Sequence, residues 1–132
     1  MDTLSAFLRA QPEFRFTWAE ATLHGAAAAA CGKAGLYAVY KGSTLIYLGQ
    51  SGDLGRRIGQ FIGAACTGAT GLHSGGCSAY HGWQRLPPGE TVFEAYVGLG
   101  SQERQLIRKF DPVLNGGLRR TSSAPRPGAA SD

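Results

Sequence analysis

The stretch GLYAVYKGSTLIYLGQSGDLGRRI, residues 35–58, concentrates side chains that are capable of chemistry. Tyr37 and Tyr47 stand in two apolar segments around a Gly-Ser turn, and a tyrosine hydroxyl that becomes buried needs a hydrogen-bond partner. Arg57 has the helical spacing that sets it beside an apolar stripe, whereas Arg56 is predicted to point away. An arginine beside an apolar face either finds a partner or extends its charged end to water.

A second segment places a carboxylate on an inward side. Glu103 precedes Ile107 by four positions and Phe110 by seven, so the three share one side of a predicted helix. A glutamate in a first helical turn also has a structural explanation, because it complements the helix dipole. Together, a carboxylate that binds a hard cation, a guanidinium that neutralises phosphate charge and a phenol that relays a proton are the groups needed for metal-assisted phosphodiester cleavage.

Periodicity and turn residues indicate the elements that position these side chains. Helices and strands are predicted in the order β-β-α-β-α after a first short helix: helix 3–10, strands 36–41 and 44–49, helix 53–62, strand 91–97 and helix 101–110. Residues 13–31 carry both a strand-like alternation of aromatic residues and a helix-favouring alanine tract. Residues 63–82 are predicted to form a loop or broken helix.

This order predicts an α/β fold with a small, three-stranded, mostly antiparallel sheet flanked by helices. Residues 1–34 are predicted to be an N-terminal extension that packs on the core. Residues 35–118 would form the functional domain, and residues 119–132 a disordered tail rich in Ser, Pro and Gly.

Composition narrows the class of protein. The 132 residues suggest one domain with an ordinary apolar content, and residues 33–120 hold ten Lys and Arg against five acids. This balance fits a polyanionic partner such as DNA, and it also fits an ordinary enzyme. Three cysteines do not form a disulfide framework, and no segment has the length of a membrane span or the features of a signal peptide. We therefore expect a cytoplasmic protein with no membrane partner.

The arrangement resembles the GIY-YIG nuclease superfamily. The triplets GLY at 35–37 and YLG at 47–49 are similar to its two-part signature, and QSGDL at 50–54 followed by Arg57 is similar to the segment that carries the family's catalytic arginine. ERQLIRKFDPVLN, residues 103–115, resembles its C-terminal block, in which an acidic metal ligand is followed by a proline and an asparagine. The two blocks occur in the family's order and span most of the chain.

The resemblance implies a GIY-YIG-like fold and a metal-dependent endonuclease that acts on DNA. Tyr37 would be the general base or its hydrogen-bonded relay, and Tyr47 would orient the water and the phosphate. Arg57 would bind the scissile phosphate. Glu103 would be the single protein ligand of one Mg²⁺ or Mn²⁺ ion, and Asn115 would brace the site.

One position departs from the family pattern. Many members carry a histidine one turn after the arginine, where this chain has Phe61. His73 is the best substitute for contact with the phosphate, although a loop histidine is more often only solvated. A zinc site in which His73 joins Cys66, Cys77 and His81 is conceivable, but the spacing matches no familiar zinc finger.

Nucleic acid is expected to contact further residues around the site. These candidates are basic or hydroxyl-bearing side chains: Lys41, Ser51, Arg108 and Lys109. Two other interpretations remain open, namely a related fold that binds nucleic acid without cutting it, and a nuclease that serves as a toxin or belongs to a selfish element.

The hairpin register is a specific test of a shared site. A two-residue Gly42-Ser43 turn, which local propensity favours, pairs Tyr37 with Leu48 and directs Tyr37 and Tyr47 to opposite faces. Shared chemistry requires one face. We therefore predict an odd-length loop that pairs Tyr37 with Tyr47.

Overall fold

The structure, a computed structural model, describes residues 3–68, 73, 75–76, 79–80 and 86–115. It is a mixed α/β fold built on one antiparallel sheet with the strand order β1-β4-β2-β3. The strands are β1 (Phe14–Thr17), β2 (Gly35–Lys41), β3 (Thr44–Ser51) and β4 (Thr91–Val97). The expected three-stranded sheet is corrected to four strands. The additional strand, β1, comes from the region in which strand and helix signals conflicted.

The α-helices whose bounds lie wholly within the described residues are α1 (Leu4–Leu8), α2 (Trp18–His24), α3 (Leu54–Thr67) and α4 (Glu103–Phe110). Short 3₁₀ helices occupy Ala26–Ala30 and Gly100–Gln102. Helix α3 extends five residues beyond its predicted end at residue 62 and stops at Gly68, whose φ of 73° suits glycine. In the described part of the chain, none of the helices has the length and apolar character required to span a bilayer.

Thr17 is where the ambiguous N-terminal region changes from strand to helix. Its hydroxyl accepts a hydrogen bond from the Glu20 amide, and the Glu20 carboxylate accepts one from the Thr17 amide. This reciprocal capping box begins α2 directly after β1. The strand signal is confirmed at β1, whereas the alanine tract forms the 3₁₀ helix Ala26–Ala30 that follows α2. Pairing with β4 is what makes the first half a strand.

The sheet is buried on both faces. The α3 face contains the larger cluster, formed mainly by Phe16, Tyr37, Val39, Tyr47, Phe93, Ile58 and Phe61. The opposite face, which we call the α4 face, carries a smaller cluster covered by α1 and α4: Leu4, Leu36, Ala38, Leu48, Tyr96 and Leu106. Because strand residues alternate between faces, this division fixes which strand side chains meet α3.

A β-bulge sets the register of the β2–β3 hairpin. The turn is the two-residue type that its sequence favours, and the register then shifts between Val39 and Tyr40, leaving Ile46 as an additional residue in β3. Beyond the shift, Tyr37 pairs with Gly49 and Val39 pairs with Tyr47. The predicted Tyr37–Tyr47 pairing is wrong, as is the odd-length loop. The predicted common face is confirmed, because both rings belong to the cluster under α3.

Residues 116–132, which include the predicted tail, lie outside the described residues, as do Cys77 and His81.

Candidate functional site

Tyr37 lies at the centre of the α3 face with small neighbours on both sides. It pairs with Gly49 on β3 and with Ala95 on β4. A Cβ atom added at Gly49 would lie 2.5 Å from Cζ of the Tyr37 ring, so the ring crosses the strand where Gly49 has no side chain. The glycine of the YLG triplet therefore gives the tyrosine of the GLY triplet its position. Tyr37 is only 1% exposed.

The Tyr37 hydroxyl is surrounded by polar groups from three other segments. Its oxygen lies 2.6 Å from Nε2 of His73. Burial raises the pKa of Tyr37 well above its ordinary value and the neighbouring Tyr47 raises it further, while the Arg57 guanidinium opposes both effects. In the protein without substrate, Tyr37 is thus a neutral phenol that lies near enough to Tyr47 and Arg57 for both to affect its pKa.

Tyr47 is held beside Tyr37 by aromatic packing. The two ring centroids are 6.0 Å apart, and the Tyr47 ring also lies 5.7 Å from Phe61 and 5.2 Å from His73. A Cβ atom at Gly75 would approach the Tyr47 ring to 2.5 Å, so this glycine permits its backbone to lie close to the ring. The bulge is what brings Tyr47 to this face.

Arg57 reaches the site from the first turns of α3. It is half-buried, whereas Arg56 is exposed, as the helical spacing predicts. Its Nη1 donates a hydrogen bond of 2.8 Å to Oε1 of Gln60, one turn later. An open depression at this position is lined by Ser51, Gly52, Asp53, Arg56, Arg57 and Gln60.

The amino end of α3 is already occupied by its own cap. The Asp53 carboxylate accepts hydrogen bonds from the amides of Gly32 and Arg56, and these bonds hold the pKa of Asp53 below its ordinary value. An anion at this end must therefore be bound by side chains rather than by the capped helix terminus. The two arginines are the cations that line the depression.

Glu103 begins α4 on the other side of the strand end. It is half-buried, and its Oε1 lies 3.5 Å from Nε2 of Gln50 near the end of β3. Gln50 lines a second depression together with Ala34, Gly35, Ser51, Gly52, Gly98 and Gly100. Ser51 and Gly52 border both depressions; Arg57 lines the first, and Gln50, the partner of Glu103, lines the second.

Metal ligands are sparse around this turn. Within residues 3–68, 73, 75–76, 79–80 and 86–115, no three His, Cys, Asp or Glu side chains gather into a group that would hold an ion. A cation at Glu103 would need most of its ligands from water and phosphate, an arrangement that suits Mg²⁺.

Asn115 fastens the C-terminal segment to the outer edge of β3. Its Oδ1 accepts from the Leu48 amide and its Nδ2 donates to the Leu48 carbonyl, each at 2.7 Å. The Leu114 amide donates to the carbonyl of the bulge residue Ile46. These bonds fix the backbone on both sides of Tyr47, so Asn115 contacts the strand that carries the tyrosine rather than the tyrosine itself.

The remaining predicted contacts are distributed unevenly. Ser51 borders both depressions, and its hydroxyl bonds within the turn to Asp53. Lys41 lies at the opposite end of β2, in a separate depression with Trp18 and Cys66. Arg108 is exposed on the last turn of α4. Lys109 is also on that turn and stacks over the rings of two phenylalanines, at 5.2 Å from Phe7 and 5.7 Å from Phe110.

Gln60 and the two glycines that accommodate tyrosine rings were missed from the sequence. Gln60 follows Arg57 by three residues, so helical spacing was a usable signal for it. Gly49 was visible as part of the YLG triplet, but its contact with Tyr37 depends on the hairpin register. Gly75 had no local signal, because its contact is with a strand far away in the sequence.

Comparisons with known proteins give no relative: no protein-family model, curated protein or solved structure matches this chain.

Proposed function

We propose that the protein is a GIY-YIG-type, metal-dependent endonuclease that hydrolyses phosphodiester bonds of DNA with a single metal ion. The observation that carries this proposal is the convergence of two phenols and one guanidinium, Tyr37, Tyr47 and Arg57, on one face of the sheet beside an open, arginine-lined depression. Several local features are needed for this arrangement, including the bulge and two glycines whose missing side chains leave space for the tyrosine rings.

Arg57 binds the scissile phosphate and stabilises the charge that develops on its oxygens. The hydrogen bond to Gln60 restricts the guanidinium to a direction along the depression. Arg56 adds positive charge at the rim, where it contributes to affinity rather than to the reaction.

Tyr37 and Tyr47 relay the proton of the attacking water to solvent, each hydroxyl oxygen releasing its own proton as it accepts another. The raised pKa of Tyr37 disfavours an ionised base that waits for substrate, so a relay through the neutral phenol is the better description. The guanidinium beside the phenol lowers the cost of negative charge on its oxygen while the proton moves.

Glu103 would hold Mg²⁺ or Mn²⁺ by one carboxylate, and such an ion would supply charge neutralisation to the phosphate and the leaving oxygen. The weak contact of Glu103 with Gln50 leaves the carboxylate available for this purpose. Because a single carboxylate binds Mg²⁺ weakly, the substrate phosphate would have to supply further ligands.

Incubation of the protein with supercoiled plasmid, single-stranded and branched DNA, and RNA, with Mg²⁺ or Mn²⁺ and with chelator as control, tests the activity. Glu103→Gln is the matched variant: it retains the shape and the acceptor for Gln50, and it should abolish cleavage while DNA binding stays equal or becomes tighter. If Glu103→Gln cleaves at a near wild-type rate, Glu103 is not a metal ligand and only complements the dipole of α4.

A nucleic-acid-binding module without nuclease activity is the second candidate. The observation that favours it is the deep burial of Tyr37 together with its raised pKa, which resembles a structural tyrosine. Under this alternative the wild-type protein shifts DNA in a gel but leaves every substrate intact in either metal, and Arg57→Ala weakens binding only.

A further inference from the structure

His73 has both ring nitrogens engaged inside the protein. The side chain is 1% exposed. Nδ1 accepts a hydrogen bond of 3.2 Å from the Gly76 amide, and Nε2 lies 2.6 Å from the Tyr37 hydroxyl oxygen. Its ring also meets Phe61 at a centroid distance of 5.0 Å. Direct contact with a DNA phosphate, the role considered for it from the sequence, would require this packing to open.

The Gly76 bond determines where the imidazole hydrogen is. A backbone amide can only donate, so Nδ1 must present its lone pair. Burial and the nearby Arg57 charge lower the pKa of His73 to about 4, so the ring is neutral near pH 7 and carries one hydrogen. That hydrogen is on Nε2, and Nε2 therefore donates to Tyr37.

The direction of this bond has a consequence for the phenol. The Tyr37 oxygen receives hydrogen from His73 and is also approached by the Arg57 guanidinium, which can only donate. Of the polar groups around the hydroxyl, Tyr47, whose ring contacts that of Tyr37, is the one whose oxygen can accept, so the hydroxyl hydrogen of Tyr37 is directed towards Tyr47.

We propose that His73 is a positioning residue that donates its Nε2 hydrogen to Tyr37 and thereby orients the Tyr37 hydroxyl hydrogen towards Tyr47. The inference rests on the proposed function for its catalytic consequence, because it gives the phenol relay a direction. His73 thus supports the reaction from behind the tyrosine, without touching the substrate. The histidine comes from a segment separate from α3, and Phe61 is the ring on α3 against which it packs.

The tautomer is tested without any cleavage assay. Long-range ¹H–¹⁵N correlation spectra of the full chain near pH 7 should show, for the histidine signal that disappears in His73→Gln, a hydrogen on Nε2 and an unprotonated Nδ1. The chain has three histidines, so the variant is needed to identify the signal. A hydrogen on Nδ1, or on both nitrogens, overturns the proposal.

Two amide variants test the consequence. In His73→Gln, the amide nitrogen reaches the position of Nε2 and retains a donor for Tyr37; in His73→Asn, the shorter side chain reaches only Gly76. We expect His73→Asn to reduce the cleavage rate about 10- to 100-fold, the worth of a hydrogen bond to a developing charge, and to displace the activity–pH profile to higher pH. His73→Gln should lie close to wild type in both respects.

An unchanged rate and profile in His73→Asn overturns the positioning role. If wild-type protein cuts no nucleic acid, the proposed function fails, and the spectrum still decides the direction of the His73–Tyr37 bond.

Discussion

Each face of the sheet carries a pair of tyrosines: Tyr37 and Tyr47 on the α3 face, and Tyr40 and Tyr96 on the α4 face. The polar groups around the two pairs differ. On the α3 face, the groups around Tyr37 include the donors of His73 and Arg57. On the α4 face, Tyr96 donates to Oε1 of Glu94 at 2.9 Å and bonds to Ser5 of α1 at 2.9 Å. Arg15 also contributes to this group, because its Nε lies 3.4 Å from Oε2 of Glu94.

The partners of the tyrosines differ between the two faces. Burial is the largest cause of a raised pKa in Tyr37, Tyr40 and Tyr96 alike. Glu94 raises the pKa of Tyr40 and Tyr96 further, since a carboxylate accepts the phenol hydrogen and repels a phenolate, and Arg15 acts on both in the opposite direction. Among the described residues of the α3 face, no carboxylate contributes to the pKa of Tyr37; Tyr47 raises it and Arg57 lowers it. The carboxylate is therefore what distinguishes the α4 face, where the Tyr96 hydroxyl ties α1 to the sheet through Ser5.

The largest expected contrast comes from removing one hydroxyl on each face. Tyr37→Phe should reduce DNA cleavage by about 10²- to 10⁴-fold, the usual range for loss of a proton-transfer group. Tyr96→Phe should leave cleavage near wild type. Each variant leaves a hydrogen-bonding partner of the lost hydroxyl unsatisfied, so both should lose a similar free energy of unfolding, about 1–3 kcal/mol. Cleavage rates and urea unfolding of the two proteins, measured side by side, check this. Equal losses of cleavage would remove the functional distinction between the faces.

A smaller contrast is expected between adjacent arginines. Arg57→Ala should lower the cleavage rate by about 10²- to 10³-fold, as for other transition-state donors, and also weaken DNA binding. Arg56→Ala, exposed on the same helix, should change the rate little and weaken binding slightly. Single-turnover cleavage and a salt series of binding constants separate the two effects. A rate loss in Arg56→Ala as large as in Arg57→Ala would contradict the assignment of the inward arginine.

The smallest effect concerns acid stability of the α3 face. The pKa of His73 is lowered from 6.5 to about 4 by burial and by Arg57, so the unfolded chain binds more protons than the folded one between these values. Stability contributed by neutral His73 is present above pH 6.5 and is lost as pH falls towards 4. The loss should be about 1–3 kcal/mol of unfolding free energy.

Urea unfolding of the wild type and His73→Gln at pH 7, 5.5 and 4 measures this effect. The variant should lack this part of the pH dependence. If its stability falls with pH as steeply as that of wild type, the buried imidazole is not the cause.

Local patterns predicted those parts of the fold that local chemistry controls. Strand β4 has the predicted bounds, and α3 begins at Leu54, one residue after its predicted start. Arg57 was correctly separated from Arg56, because a helix has a fixed period. Strand β1 was ambiguous, since its identity depends on pairing with β4, which is distant in the sequence.

The candidate site was predictable in its members and less so in its contacts. Tyr37 and Tyr47 were expected on one face, but the bulge that brings them there was not predicted. A bulge depends on packing against α3 rather than on the sequence of the turn. His73 was singled out as a substitute at the site, although its partner could not be assigned. A 2.6 Å bond to Tyr37 joins residues 36 positions apart, and neither composition nor spacing encodes such a contact.

The bulge at Ile46 sets two consecutive side chains, Ile46 and Tyr47, on the same face of the sheet, where strict alternation would send them to opposite faces. It thereby allows a two-residue turn and a Tyr47 ring beside Tyr37 to occur in one hairpin. Deletion of Ile46 would restore strict alternation and leave Tyr47 opposite Val39, but it would remove a fully buried side chain and the carbonyl to which the Leu114 amide donates. For evolution and for engineering alike, the loss of this surplus residue should therefore be measured as lost stability rather than as a reversed tyrosine.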